Sequence, residues 1–431
     1  MSVFKYSAVD FLLTCLGLVF LLLDIGLDVF AVVSFYQEKA YASLGFLLLF
    51  LLGSSVLVQA FSWLWYSYED FKRETKVESC LSPCQLRLLH VLQLGIYFRH
   101  AGVVEVSVLS FFTKTQGPED RAVFLSHDLS LLRLIETFSE SSPQLVLMLA
   151  IILQRGQLDP VTVLKALGSA SAIAFSVTMY HRSLRSFLPD KENQRVTSSA
   201  VYFLWNLCLI LSRLVALALF ASVLPCFIFT HFLCSWLLLF FVAWRTKTDF
   251  MESPGGEWLY RATVGLIWYF AWFSVFDGRT RYRMLLYHGY KLADVSLLCG
   301  LWCWKITYEP FHLEISPVYA IITAVSVVAA YILGLLFKMI YYKCYHPNLG
   351  REELKGDPTG DGVTGSRSPS GDVVDHLVTG ASHDVTEPQL LSLQVSLHTH
   401  DVTDRSWSSP AAPSGKRCNK RMRKMAENFY S

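Results

Sequence analysis

Three aspartates, Asp10, Asp24 and Asp28, stand in an otherwise apolar stretch that runs from about residue 8 to residue 36. Their steps of fourteen and four residues put them on nearly one face of a helix turning once every 3.6 residues. A second apolar stretch, 124–155, carries Asp128, Arg133, Glu136, Glu140 and Gln144. The last four follow three- and four-residue steps and make a polar ladder up one side of a helix whose other sides are Leu, Ile and Phe. Arg182, Asn206, Arg213, Lys291 and Asp294 are further polar groups in apolar surroundings. An ionisable residue at the centre of a lone membrane helix costs roughly 2.5–3.5 kcal/mol on insertion scales, so these groups need partners or a wet lining.

Two kinds of work fit them. Taken singly, each is an interhelical ion pair that fixes packing. Taken together, at least five carboxylates at several depths on two helices outnumber the bases available to neutralise them. A vertical polar strip is what a lipid headgroup needs, because its phosphate and amine must cross hydrocarbon while the acyl chains stay in oil. A groove suffices for that and a pore is not required. A water-filled channel or a solute carrier uses the same kinds of residue, so these readings stay open on the residues alone.

The elements that must position these groups are helices in a membrane. Of 431 residues 53% are hydrophobic and 17% charged, a balance hard to keep off a water-exposed surface. Apolar stretches of about 18 residues or more recur through the first three quarters, each long enough to cross roughly 30 Å of hydrocarbon. Hydropathy marks ten helical segments at 8–36, 42–67, 86–113, 124–155, 160–186, 198–223, 227–245, 257–277, 283–305 and 315–343. The first has few basic residues before it and no small-residue cleavage site, which predicts a retained span and not a signal peptide.

Ten crossings would place Arg182, Arg185, Lys191 and Arg195 outside, against the positive-inside tendency. The third segment is interrupted by Gln93, Arg99, His100 and Glu105. Letting it enter and return on one side puts those bases with Lys72, Arg73, Lys76 and Arg87. The eighth, treated alike, keeps Arg279, Arg281 and Arg283 inside. The expectation is an all-α polytopic membrane protein with eight spans, two partly inserted helices and both ends cytoplasmic. The weak segments fall in matching places, giving two parallel five-element repeats, 1–186 and 187–345. From 346 to 431 the chain turns to Gly, Ser, Thr, Asp and Pro, the composition of a disordered tail.

Enzymatic chemistry is not expected: no nucleophile with a base at useful spacing, no phosphate loop and no metal cage stand out. The ten Cys are scattered and mostly fall in spans, and Cys80, Cys84 and His90 make the one metal-like grouping, so neither a disulfide framework nor a metal site is expected. No cofactor and no nucleic-acid partner are expected. No Asn-x-Ser/Thr triplet occurs. Pro143, beside the ladder, is expected to kink that helix.

Specific stretches carry a resemblance: Phe61 to Trp65, Leu88 to Gly95, Leu132 to Phe138 with Ser142 to Leu145, Val201 to Asn206, Glu257 to Arg261, and Tyr341 to Pro347. Through them the chain, from Asp10 to about His346, resembles the XK-related family, and within it the branch that caspases switch on. The resemblance implies calcium- and ATP-independent exchange of phospholipids between leaflets, exposing phosphatidylserine on dying cells as an engulfment signal. It implies eight spans with two half-inserted helices, and a lipid path lined at Asp10, Asp24, Asp28, Glu136, Glu140, Arg182 and Arg213. To these the polar pattern adds Arg133, Gln144 and Asp294. It implies a single-span glycoprotein partner of the basigin and neuroplastin type for passage to the plasma membrane, with which the missing glycosylation triplet is consistent. Self-association is left open. One departure stands out: the resemblance implies an acid just before Tyr180-His181-Arg182, where this chain has Met179, so Arg182 is expected to lack that partner.

Caspases cut after Asp in accessible segments and favour Asp three residues earlier. Asp375 in Asp372-Val-Val-Asp375 ranks first for a caspase-3-like protease. Asp361 and, in Asp401-Val-Thr-Asp404, Asp404 are alternatives. The terminal Lys416, Arg417, Lys420, Arg421, Arg423 and Lys424, in a segment able to form an amphipathic helix, are expected to dock on an acidic cytoplasmic mouth or on anionic lipid until cleavage frees them. Two rivals remain beside the lipid-moving reading: a solute transporter, and a non-catalytic scaffold partnered in the membrane.

Overall fold

The computed structural model describes residues 8–68, 73, 75–113, 116–156, 160–186, 194–246, 248–274, 281–308 and 316–345. The chain separates into two units, Met1–Leu354 with Asn419–Ser431, and Lys355–Cys418. The expected cleavage sites Asp361, Asp375 and Asp404 and the basic terminal residues lie outside the described residues.

Among the described residues every regular element is helical: α1 (Ala8–Gln37), α2 (Tyr41–Tyr68), α3 (Lys76–Ser79), α4 (Pro83–Val91), α5 (Gly95–Thr113), α6 (Gln116–Glu136), a π-helical turn (Thr137–Ser141), α7 (Ser142–Arg155), α8 (Pro160–Ser186), α9 (Val196–Val223), α10 (Pro225–Arg245), α11 (Pro254–Phe270), α12 (Arg281–Tyr308), α13 (Pro317–Ile340) and a second π-helical turn (Tyr341–Tyr345). Six of them, α1, α2, α8, α9, α10 and α13, are long and apolar enough to cross a membrane. The chain is an all-helical multi-pass membrane protein. The helices carrying the Arg133 ladder and the Lys291–Asp294 pair do not count among the six.

Burial ranks the helices. In α9 fifteen of 28 residues are buried, and it packs against α7, α8, α10, α12 and α13, so it is the central post. In α1 only Leu21, Ala31 and Phe35 of 30 are buried, while Leu12, Leu22, Leu23, Val29 and Phe30 face outward. That is the pattern of a helix whose outer side meets lipid. The α9–α13 contact is close because Gly334 lacks a side chain: a Cβ there would stand 2.8 Å from Leu209. The Ser212 hydroxyl also donates to the Val327 carbonyl at 2.7 Å across that seam.

The third hydropathic segment, read as one helix over 86–113, is two helices. Ser82 and Gln85 form a reciprocal capping box with Pro83 in the first turn, so α4 begins three residues earlier than hydropathy places it. It ends where Gln93 takes φ 64° and the Leu94 amide reaches back to the Leu89 carbonyl at 2.8 Å. The Ser55 hydroxyl of α2 donates to Gln93 Oε1 at 2.8 Å and holds the break. Gly95 is required there, since a Cβ would meet the His90 ring at 2.5 Å. Two more of the polar residues that weakened this segment have work: Arg99 pairs with Asp128 of α6 at 3.3 Å, and Glu105 accepts the amides of Lys76 and Val77 at 3.1 and 2.9 Å, capping α3.

The eighth segment, expected to run to residue 277, stops at Phe270. Ala271 is extended, and the Trp268 indole donates to the Phe273 carbonyl at 2.6 Å, folding the chain back on the helix end. Seventeen residues at 1.5 Å each give about 26 Å. At its other end Glu257 accepts the amides of Phe250 and Met251 at 3.0 and 2.8 Å and pairs with Arg261 at 3.3 Å.

Candidate functional site

Asp10 opens the first turn of α1, where a carboxylate suits the helix dipole. Arg182 of α8 reaches it with two donors, Nε at 2.9 Å and Nη2 at 2.8 Å, both to Oδ1. Its Nη1 donates to the Gln194 carbonyl at 2.7 Å and to the Ser199 hydroxyl at 3.0 Å. Arg182 therefore does have an acidic partner. Met179 leaves none on its own helix, but α1 supplies one from 172 residues away, a pairing that motif comparison within α8 cannot reveal.

Higher on α1, Asp24 and Asp28 face the α6–α7 helix. Arg133 Nη1 donates to Glu136 Oε2 at 2.7 Å, and its Nη2 lies 3.9 Å from Asp24 Oδ2. Gln144 Nε2 donates to Asp28 Oδ1 at 2.8 Å. Between these partners the helix widens into the π turn. Pro143 has no N–H to give to the preceding turn, and just before it the Thr137 carbonyl receives both the Ser142 amide and, at 3.0 Å, the Ser142 hydroxyl. The Ser139 hydroxyl bonds across to Ser54 of α2 at 2.7 Å. The disturbance expected at Pro143 is thus a widened turn that carries buried Glu140 inward. Among the described residues, Asp24, Glu136 and Glu140 are the one group whose potential ligand atoms all lie within 4.8 Å of one another, close enough to share a cation through oxygen.

Two cavities follow this strip. One of about 110 Å³ is lined by Asp10, Thr14, His100, Arg133, Met179 and Arg182. The other, about 190 Å³, is lined by Asp24, Asp28, Gln59, Tyr97, Glu136 and Glu140. Arg133 borders the first and pairs with carboxylates of the second, so it stands between them. The arrangement offers a guanidinium at each end of the lower cavity and carboxylates in the upper one.

Arg213 and Asp294 are not brought to this strip. They meet each other at 2.7 Å on α9 and α12. His231 of α10 lies with Nε2 3.0 Å from Asp294 Oδ1 and Nδ1 3.0 Å from the Tyr269 hydroxyl. The Tyr269 carbonyl receives Arg213 Nε at 3.3 Å and Lys291 Nζ at 2.9 Å, and the Trp268 carbonyl receives the Tyr287 hydroxyl at 2.7 Å. These are the carbonyls that a helix leaves open at its C-terminus, here that of α11. Arg213 and Lys291 satisfy the Tyr269 carbonyl and suit the negative end of the helix dipole, and the Tyr287 hydroxyl satisfies the Trp268 carbonyl.

Gln59 and Lys338 escaped the sequence reading. Lys338 of α13 is buried and meets His288 Nε2 at 2.7 Å, with the Trp205 ring beneath it. Gln59, 4% exposed, is among the residues lining the carboxylate cavity, and its buried Oε1 has no hydrogen-bond partner among the described residues. The signal was present for both: Gln59 is the one amide in the second apolar segment, and Lys338 the one charge between 317 and 340. His90, considered as a metal ligand, is instead turned inward. One ring nitrogen meets the Leu86 carbonyl at 2.8 Å and the other the Ser62 hydroxyl at 3.0 Å. Burial holds its imidazole below the usual range, so it stays neutral.

The family description "XK-related protein" matches residues 12–347. XK-related protein 8 of Tetraodon nigroviridis is 42% identical over 437 aligned positions, covering all of this chain and 98% of that protein. XK-related protein 8 of Gasterosteus aculeatus is 42% identical over 362, covering 82% and 88%. XK-related protein 8 of Pan troglodytes is 36% identical over 366, covering 83% and 88%. A match that spans the helices building the charged strip, with full-length identity at this level, settles kinship: the chain belongs to the XK-related family.

Proposed function

We propose that this protein is a phospholipid scramblase of the plasma membrane. It moves lipids between leaflets without ATP and exposes phosphatidylserine on dying cells, promoting their engulfment. One observation carries the reading: a strip of charge, from Asp10–Arg182 through Arg133–Asp24–Glu136 to Asp28–Gln144, runs along α1 with cavities beside it. At 1.5 Å per residue Asp10 and Asp28 are roughly 27 Å apart, close to the thickness of the hydrocarbon layer. The headgroup exchanges partners along this strip while its acyl chains remain in the bilayer, beside the outward leucines of α1.

The reading takes the chain to have eight spans, with α3 to α5 and α11 partly inserted, both ends cytoplasmic, and parallel repeats over 1–186 and 187–345. The broken third segment and the short α11 support that arrangement. Arg213 and Asp294 then serve the end of α11, and the moving headgroup meets the first repeat. The tail over 346–431 acts as the switch. A caspase-3-like protease cuts after Asp375, with Asp361 and Asp404 as the alternatives, and frees the basic segment Lys416 to Lys424. A basigin- or neuroplastin-type glycoprotein escorts the chain to the cell surface.

The test is reconstitution in vesicles with a fluorescent phospholipid and an impermeant quencher. Added protease should let the quencher reach label from both leaflets, while an Asp375→Ala chain should stay silent. Protection of the inner leaflet after cleavage, with saturable uptake of a small solute, would favour a transporter instead.

A further inference from the structure

The second half of the chain buries an excess of positive charge. Arg213, Lys291 and Lys338 are all buried there, and among the described residues Asp294 is the one carboxylate paired with any of them, at Arg213. Lys338 has a neutral partner instead. Its Nζ meets His288 Nε2 at 2.7 Å and stands 5.0 Å from the centre of the Trp205 ring, while His288 Nδ1 meets the Tyr331 hydroxyl at 3.1 Å. An ammonium donating to Nε2 fixes the ring proton on Nδ1, so Tyr331 accepts that proton and keeps its own O–H to give. Lys338 likewise spends one of its three protons on His288 and keeps two. A charge taken out of water needs a counter-charge, and this ammonium, on a residue 6% exposed, has none among the described residues.

Lys338, His288, Tyr331, Trp205 and Asn206 all line one cavity, enclosed by α9, α12, α13 and the end of α11. The Lys338 nitrogen is bracketed by two of these lining side chains, His288 and Trp205, and the Tyr331 hydroxyl is bonded to the first of them. Asn206 uses one amide proton on the Tyr202 carbonyl at 2.8 Å and has a second to offer. The cavity measures about 30 Å³, the volume one water takes up in the liquid, which is too little for a phosphate ester. An uncompensated ammonium, spare neutral donors and room for one small occupant are the chemistry of a halide site. We infer that this cavity binds a single chloride ion, with Lys338 as its counter-charge and Tyr331 and Asn206 as neutral donors. Lys291, one turn along α12 from His288, is a further buried cation whose field the chloride offsets. The proposed lipid movement uses none of these residues, so the two readings stand or fall separately.

The full chain is melted in detergent at constant ionic strength while sodium gluconate, whose anion is too large for the cavity, is exchanged for sodium chloride. The expected result is a melting temperature that climbs with chloride, by roughly 2 °C for each tenfold increase once the site is half filled, and climbs alike with bromide. Lys338→Gln should abolish the climb. Tyr331→Phe keeps the ammonium and removes one donor, so it should need about tenfold more chloride for the same rise, the scale of one hydrogen bond to a charged group. This second variant decides the matter if Lys338→Gln fails to fold. Equal melting in chloride and gluconate overturns the inference and assigns the cavity to water or to a lysine that has lost its proton. A climb that persists undiminished in Lys338→Gln, or a titration unchanged in Tyr331→Phe, marks a general effect of salt on the protein and overturns it as well.

Discussion

Arg182 and Asp10 lie 172 residues apart in the chain and 2.8 Å apart in space, joined by two nitrogens of one guanidinium to one carboxylate oxygen. Their side chains are 7% and 15% exposed, so neither charge is solvated if the other is removed. Breaking such a buried pair from one side costs about 3–5 kcal/mol. Arg182→Met should therefore lower the unfolding temperature in detergent clearly, and Asp10→Asn less, because the Gln194 carbonyl and Ser199 hydroxyl still receive the guanidinium. The double variant should recover part of the loss. Strict additivity of the two single effects would show that the pair is not coupled.

Neutralising the upper carboxylates should act the other way. Asp24, Glu136 and Glu140 crowd their oxygens within 4.8 Å, a like-charge arrangement that raises the energy of the folded state. Glu140→Gln and Asp28→Asn should leave thermal stability unchanged or improve it by about 1 kcal/mol, the scale of a typical polar interaction. Lipid movement in vesicles should fall about tenfold or more, since the headgroup loses its counter-charges. A variant carrying both changes that moves lipid at the parent rate would remove the carboxylates from the path.

How much of this was legible in the sequence depends on the distance over which a residue acts. The steps among Arg133, Glu136, Glu140 and Gln144 are local, and the structure keeps those residues along one helical element facing Asp24 and Asp28. The partner of Arg182 was not legible, because the acid that answers it lies in another helix. The break at Gln93 was visible only as a weak span: its cause, the positive φ held by Ser55, depends on α2. Arg213 and Asp294 looked like more of the same strip, since hydropathy cannot tell a charge facing a path from one closing a helix end. Gln59 went unread because one amide among apolar residues carries no periodicity.

His90 yields a pH dependence. Burial lowers its pKa in the folded protein below the ordinary value near 6.5, so the unfolded chain binds more protons than the folded one as pH falls through that value. Stability from this site is complete above about pH 6.5 and is lost progressively below it. Melting in detergent should thus show an acid limb beginning near pH 6.5, and His90→Gln should flatten that limb while lowering stability at pH 7.5. An unchanged limb in the variant assigns acid sensitivity to other groups.

The cluster at the end of α11 separates a structural role for Arg213 from a role in transport. Arg213 Nε and Lys291 Nζ both serve the Tyr269 carbonyl, and Asp294 balances Arg213 at 2.7 Å while receiving His231. Lys291→Met removes one donor from a carbonyl that keeps the other, and should cost about 1–3 kcal/mol. Arg213→Met also strands Asp294 without its guanidinium, and should cost about 3–5 kcal/mol. Adding Asp294→Leu to Arg213→Met removes the stranded charge, so the pair of substitutions should be less damaging than Arg213→Met alone. Lipid movement per folded molecule should be unchanged in that double variant, because the strip along α1 contains neither residue. If transport per folded molecule is lost while melting is restored, Arg213 and Asp294 belong to the path and the division between the two clusters fails.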